Sequence, residues 1–182
     1  MKRFLLLGLI CGCASGLSAQ PPLANSKTKI YIVRHAEKES GKDPVLTPAG
    51  RQRAGDLMRK MKRKHIRHIY VSQYRRTQMT GDSMRIQLGI DTIHYVVDTT
   101  GEDLLNKIIA HKDQRRRILV IGHSNTIPNI IRKLGVANYP TDYIPDNEFD
   151  NLFLLRYKKH KASITKDKYG ATSGVSAAMK PL

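Results

Sequence analysis

Three stretches of the chain are apolar without alternation and rich in branched side chains: Ile30-Tyr31-Ile32-Val33, Ile69-Tyr70-Val71 and Ile118-Leu119-Val120-Ile121. A strand with one wet face alternates polar and apolar residues, whereas a strand of a parallel sheet covered by helices on both sides reads as an unbroken apolar run. Between these runs the period changes. Ala54, Leu57, Met58 and Met61 recur at i, i+3, i+4 and i+7, which is one face of a helix, and Thr47-Pro48 supplies an N-cap hydroxyl followed by proline at the first helical position. Thr77, Gly81, Met84 and Leu88 form a second stripe, Leu104, Leu105, Ile108 and Ile109 a third, and Ile127, Ile130, Ile131 and Leu134 a fourth. Residues 152–155 and 162–165 flank a basic turn at 158–161 and predict a late hairpin on the sheet edge, with residues 91–97 as a further strand. Alternating strand and helix predicts an α/β fold: a three-layer α/β/α sandwich around a mostly parallel central sheet, with right-handed crossovers.

Both ends fall outside this pattern. Lys2 and Arg3 precede the apolar run 4–10, and small residues follow as far as Ala19, which is the order of an export signal. The expected division is a signal peptide at 1–19, a short extension at 20–28, one globular domain at 29–168 and a flexible tail at 169–182. The apolar run is shorter than the roughly 20 residues of a membrane-spanning helix, so the product is expected in the periplasm or secreted. Cys11 and Cys13 are the only cysteines, and both lie in the leader. They leave the folded part without a disulfide framework or a cysteine-ligated zinc site. Lipid attachment at Cys13 is the lesser alternative, because Cys11 stands where such signals prefer a small residue.

Charge narrows the range of partners. The 182 residues carry 32 Lys and Arg against 15 Asp and Glu, a formal net charge of +17. Residues 51–76 hold ten of the cations and one acid, Asp56, a balance that favours anionic partners. No aromatic residues are interleaved in the manner of a base-stacking surface, so specific nucleic-acid binding is not expected. His65 and His68 have a metal-like spacing, yet no carboxylate or cysteine nearby completes a site, and both are expected to be solvated.

Open α/β sheets bind ligands beyond the carboxyl ends of their strands. The sequence there reads Arg34-His35 after the first run, Ser72 followed by Arg75 and Arg76 after the second, and Gly122-His123-Ser124 after the third. A guanidinium presents a planar fork of donors that fits phosphate oxygens, and it keeps its charge. An imidazole among such groups is held neutral and is a competent nucleophile toward phosphorus. Arginine and histidine can balance the charge of a phosphoryl group in transfer, so neither a metal nor another cofactor is expected.

Four segments resemble the histidine phosphatase superfamily, whose fold is that of the phosphoglycerate mutases. Val33-Arg34-His35-Ala36-Glu37-Lys38 is similar to its Arg-His-Gly signature, with alanine in place of glycine. Leu46-Thr47-Pro48-Ala49-Gly50 resembles its Leu-Thr-x-x-Gly helix start. Ser72-Gln73-Tyr74-Arg75-Arg76-Thr77 resembles its second arginine motif, aligned on Arg76 rather than Arg75, and Gly122-His123-Ser124 its second histidine motif. The resemblance implies that His35 becomes phosphorylated while Arg34, Arg76 and His123 hold the phosphoryl group of a small phosphorylated substrate. It also implies an acidic residue that protonates the leaving group. No Glu-Gly motif follows the Arg76 helix, so Glu102 is the leading candidate, with Asp98, Asp103 and Glu148 in competition. The expectation is an exported, metal-independent phosphatase acting through a phosphohistidine. The alternative is a catalytically impaired protein that binds phosphate or a polyanion on the same fold.

Overall fold

The computed structural model describes Leu23 and residues 27–173. The expected signal peptide, Cys13 and residues 174–182 therefore lie outside the described residues. Each apolar run is a strand whose neighbouring side chains point to opposite faces, and both faces are buried. Ile30 and Ile32 of β1 (Lys29–Arg34) pack with Tyr70 of β2 (Ile69–Ser72) and with Ile118 and Val120 of β4 (Arg117–Gly122) in one apolar cluster. Tyr31, Val33, Ile69, Val71, Leu119 and Ile121 line the other face. The first cluster is closed by α3 (Glu102–Ala110) and α4 (Ile127–Lys133), and the second by α1 (Pro48–Met61) and α2 (Arg75–Leu88).

Each helix forms where its stripe predicts. Thr47 caps α1, its side-chain oxygen accepting from the Gly50 N–H at 3.0 Å, with Pro48 at the first position. Gly89, in the left-handed region at φ +61°, terminates α2. The six strands run in the order β3-β2-β4-β1-β5-β6, where β3 is Thr92–Tyr95, β5 Asn151–Lys158 and β6 Lys161–Lys168. The first four are mutually parallel, and the hairpin β5–β6 joins β1 in antiparallel fashion, so the sheet is mixed but mainly parallel, as expected.

Two expectations need correction. His68 is buried rather than solvated: its Nδ1 lies 2.7 Å from Asp113, which also accepts from the Tyr70 hydroxyl at 2.6 Å. The three form one internal polar group, which removes the desolvation penalty each would carry alone. The fold also extends past residue 168. Tyr169 is buried, and the Arg53 guanidinium donates to the carbonyls of Tyr169 and Ala171 while clamping Glu37 at 2.7–2.9 Å. Residues 169–173 are thereby tied to the loop that follows His35.

Topology puts a crevice at one place. β1 and β4 are adjacent and parallel, and the helices that follow them, α1 and α4, lie on opposite faces of the sheet. Such a switch point leaves a gap beyond the carboxyl ends of the two strands.

Candidate active site

Register brings the two histidines together. Arg34 of β1 pairs with Gly122 of β4, so His35 and His123 leave the sheet side by side, and the His35 N–H donates to the Gly122 carbonyl at 3.0 Å. Their ring centroids are 5.4 Å apart. Arg76, in the first turn of α2, donates from Nη2 to Nδ1 of His123 at 3.2 Å. Arg75 does not join this cluster: its backbone N–H donates to Asp43, and its side chain is exposed.

The hydrogen bonds fix both tautomers. Nδ1 of His35 lies 2.8 Å from the Ala36 carbonyl, which can only accept, so Nδ1 carries the proton and Nε2 presents a lone pair. His123 has the reverse arrangement. Its Nδ1 accepts from Arg76, leaving Nε2 to donate to the Ser72 hydroxyl at 2.9 Å; Ser72 then lies 2.9 Å from Thr77, whose own hydroxyl donates to the Tyr74 carbonyl. Behind His35, the Thr80 hydroxyl accepts from the Ala36 N–H and donates to the Arg76 carbonyl, tying the β1 loop to α2. Ala36 is fully buried against Leu46, Ala54 and Met79, so the cavity wall accommodates a methyl group at that position.

Each guanidinium is stacked and braced. Arg34 lies 4.2 Å from the Phe149 ring centroid and Arg76 4.3 Å from that of Tyr74, at cation–π distance. Nη1 of Arg34 donates to the carbonyls of Pro145 and Asp146, both at 2.9 Å, and Asp146 Oδ1 lies 3.4 Å from Nη2. Asp43 lies 3.8 Å from Nη1 of Arg76. One donor on each arginine, Nε, is buried without a partner among the described residues. Buried N–H donors of a charged group are costly to leave unpaired, and two of them beside two imidazoles suit an oxyanion that would satisfy both.

Burial sets the protonation states. It pushes the His35 imidazole down to about 4; the Ala36 carbonyl opposes this, while the charges of Arg34, Arg76 and Lys38 reinforce it. His123 is pushed down to about 3, by burial first and then by Arg76, His35 and Arg34. Burial also lowers both arginine pKa values, opposed by Asp146 at Arg34 and Asp43 at Arg76, and guanidinium stays charged in a protein. Two neutral histidines beside two cations have a consequence for stability. Unfolding restores an ordinary histidine pKa near 6.5, so between that pH and about 4 the unfolded chain binds protons that the folded chain refuses. Stability from this source is present above pH 6.5 and is lost as the pH falls toward 4. In urea titrations the unfolding midpoint should drop across that range, and a His35→Gln/His123→Gln double variant should lose much of the slope. An unchanged slope in the double variant would contradict the assignment.

The carboxylates of the four acids proposed from sequence make no hydrogen bond or ion pair to the cluster among the described residues, although the Glu148 carbonyl accepts from Arg34 Nη1 at 3.4 Å. Glu102 is ion-paired with Lys133 of α4. Asp98 accepts backbone N–H groups of Thr100, Gly101 and Asp103; burial raises its pKa, but these bonds outweigh it and hold the carboxyl at about 2, where it carries no proton to give. Asp103 accepts from the Val96 N–H. The Glu148 carboxylate faces Asn151 and Lys166, and the Asn151 bond is the main cause of its lowered pKa. The carboxylates that do reach the arginines are Asp43 and Asp146, which the sequence reading did not single out, nor did it find Tyr74 and Phe149 as stacking partners. An acidic, proline-bearing stretch before β5 was the available signal for Asp146.

This fold has known counterparts. The sequence profile of the histidine phosphatase superfamily, branch 1, matches residues 30–99. No curated protein sequence matches the chain. Among solved structures it resembles the protein histidine phosphatase SixA complexed with tungstate, at 16% identity and a TM-score of 0.58 over 77% of this chain and 96% of that one. It is also similar to phosphoserine phosphatase from Entamoeba histolytica in complex with 3-phosphoglyceric acid (18% identity, TM-score 0.57, 80% and 98% covered). The mycobacterial glucosyl-3-phosphoglycerate phosphatase gives 14% identity and a TM-score of 0.56 over 79% and 99%. Likeness at such identities speaks for the fold. The matched profile, the motifs and the architecture agree in likening the chain to the histidine phosphatase superfamily.

Proposed function

We propose that this protein is an exported phosphatase that hydrolyses small phosphorylated compounds by passing the phosphoryl group through Nε2 of His35. The observation that carries the reading is the tautomer of His35, fixed by the Ala36 carbonyl so that Nε2 is unprotonated, in one cluster with two guanidiniums that each have a buried, unpartnered Nε. Phosphatase chemistry is also what the names of the structural neighbours describe. Export rests on the leader sequence alone.

In the first step the Nε2–P bond forms as the P–O bond to the leaving group breaks, and the electron pair departs with that oxygen. The ring becomes cationic, and its Nδ1–H bond to the Ala36 carbonyl becomes charge-assisted, roughly twice as strong as a neutral one. Arg34, Arg76 and His123 offset the charge on the phosphoryl oxygens. In the second step water attacks phosphorus, the P–N bond breaks, and phosphate and neutral His35 are regenerated. Positive charge on the phosphoryl site comes from side chains, so we expect no metal requirement.

The leaving group needs a proton, and Asp43 and Asp146 are the carboxylates nearest the arginines, both in ion pairs. With no carboxylic acid bonded at His35, substrates with weakly basic leaving groups are favoured. A phosphorylated imidazole is a second reading for the same reason, since imidazole is a weakly basic leaving group, and a protein histidine phosphatase is among the neighbours. The test is hydrolysis of an aryl phosphate in the presence of EDTA and, separately, of tungstate. Turnover unaffected by EDTA and competitively inhibited by tungstate is expected. Loss of activity on chelation would overturn the metal-independent mechanism, and tungstate binding without any turnover would favour the binding-protein alternative.

A further inference from the structure

Cations at one end of the sheet lack the acidic partners that those at the other end have. At the end away from the histidines, strand register lines up cations from segments far apart in sequence. Lys29 pairs with Arg117 on one side and Arg156 on the other, the Arg67 N–H donates to the Arg117 carbonyl, and Lys158 pairs with Lys161 across the hairpin. Arg115 and Arg116 join Arg67, Arg117 and His65 around a cavity of about 430 Å³. All four arginines are exposed, and none is in an ion pair among the described residues. Acids are nearly missing from this end. Asp113 is buried and taken up by His68 and Tyr70, which leaves Asp91 before β3. At the opposite end, the loop residues Asp146, Asp43 and Asp142 pair with Arg34, Arg76 and Arg132.

A cation surplus gathered on one face is a docking surface, since the same charge spread evenly would orient nothing. Three considerations point to a lipid surface. The row crosses strands, turn and loops as a broad patch, which suits many phosphates in a plane. A nucleic acid would call for base-stacking aromatics, and the one strongly exposed aromatic among the described residues, Tyr143, sits at the other end, hydrogen-bonded to Asp146. The chain also joins the fold at the basic end: the Arg115 N–H donates to Thr28 Oγ1, and the Lys29 N–H to the Arg116 carbonyl. Lys27, next in the chain, adds a further cation there, and residues 20–28 hold no acid.

We infer that this basic end seats the protein on an anionic lipid surface, leaving the histidine cluster facing away from the bilayer. Each cation near such a surface contributes roughly fivefold in binding, and the attraction falls off within a Debye length. The test is sedimentation of the chain from Gln20, the form that export would leave, with phosphatidylcholine vesicles, with and without phosphatidylglycerol. Wild type should bind the anionic vesicles far more tightly, and added salt should abolish the difference. Replacing Arg67, Arg116 and Lys158 by serine should weaken binding to the anionic vesicles roughly 100-fold. Replacing Lys42, Arg51 and Lys166, which removes the same charge elsewhere, should have little effect. Equal losses in the two triple variants would overturn the inference, because net charge alone would then explain binding. So would basic-end variants that lose affinity for single-stranded DNA while vesicle binding is unchanged. Hydrolysis of an aryl phosphate should be the same in both variants, and the vesicle result stands or falls independently of it.

Discussion

His35→Ala should reduce phosphatase turnover by roughly 10⁴-fold or more, the loss expected when a nucleophile that acts covalently is removed from an otherwise intact site. At about 1.4 kcal/mol per decade, that is at least about 5 kcal/mol of transition-state stabilisation. The fold should survive. His35 is buried, but its ring makes a single hydrogen bond, to the Ala36 carbonyl, and removing a neutral imidazole from beside two guanidiniums leaves no buried charge unpaired that was paired before. Tungstate binding should persist in the variant, weakened, because Arg34, Arg76 and His123 remain. Loss of turnover with tungstate binding retained distinguishes a missing nucleophile from a collapsed site. Substantial residual turnover in His35→Ala would mean that another group takes up the phosphoryl.

Gly50→Ala is the second substitution with a large expected effect, and it acts through the backbone. A Cβ at this position would sit 2.0 Å from the carbonyl oxygen of Glu37 and 3.0 Å from its carbon. That carbonyl cannot move freely, since it accepts from the Thr47 N–H at 3.0 Å, and the Glu37 side chain is clamped by Arg53. Overpacking against fixed backbone costs about 3 kcal/mol at the upper end of the usual range. For a domain of this size that corresponds to a Tm lower by roughly 6–12 °C in thermal unfolding. Relief of the clash would displace Glu37, two residues from the nucleophile, so surviving protein should also turn over more slowly. A Tm within a degree or two of wild type would show that the approach of α1 to this loop is looser than described.

These two cases show which parts of the molecule the sequence could reveal. The strands at 30–33, 69–71 and 118–121 were legible because burial on both faces leaves an unbroken apolar run, and the four helices because a single buried face leaves a 3.6-residue period. Arg34, His35, Arg76 and His123 were legible as motifs at strand ends and a helix start. That the two histidines stand side by side was not, because the pairing of Arg34 with Gly122 depends on β4 inserting between β1 and β2, and strand order leaves no local mark. Support for Arg34 was equally hidden. Its Nη1 is held by the carbonyls of Pro145 and Asp146, groups that every residue possesses. His68 was misread for a related reason: its partner Asp113 lies 45 residues away, and no spacing rule links them. Tyr169 belongs to the core because Arg53 fastens the backbone after it, although the small polar residues that follow look like a loose end. The acid was sought in helix-start residues such as Glu102, whose carboxylate is engaged by Lys133 on a helix adjacent in space but not in sequence.

The central claim is that phosphorus is carried by one nitrogen of one histidine. The most direct measurement is intact-protein and peptide mass spectrometry after rapid alkaline quench of wild type mixed with an aryl phosphate, conditions under which a phosphorus–nitrogen bond persists. One phosphoryl group on the peptide containing His35, forming and decaying at rates that account for turnover, is the predicted result. Turnover with no adduct, or an adduct confined to His123, would contradict the account.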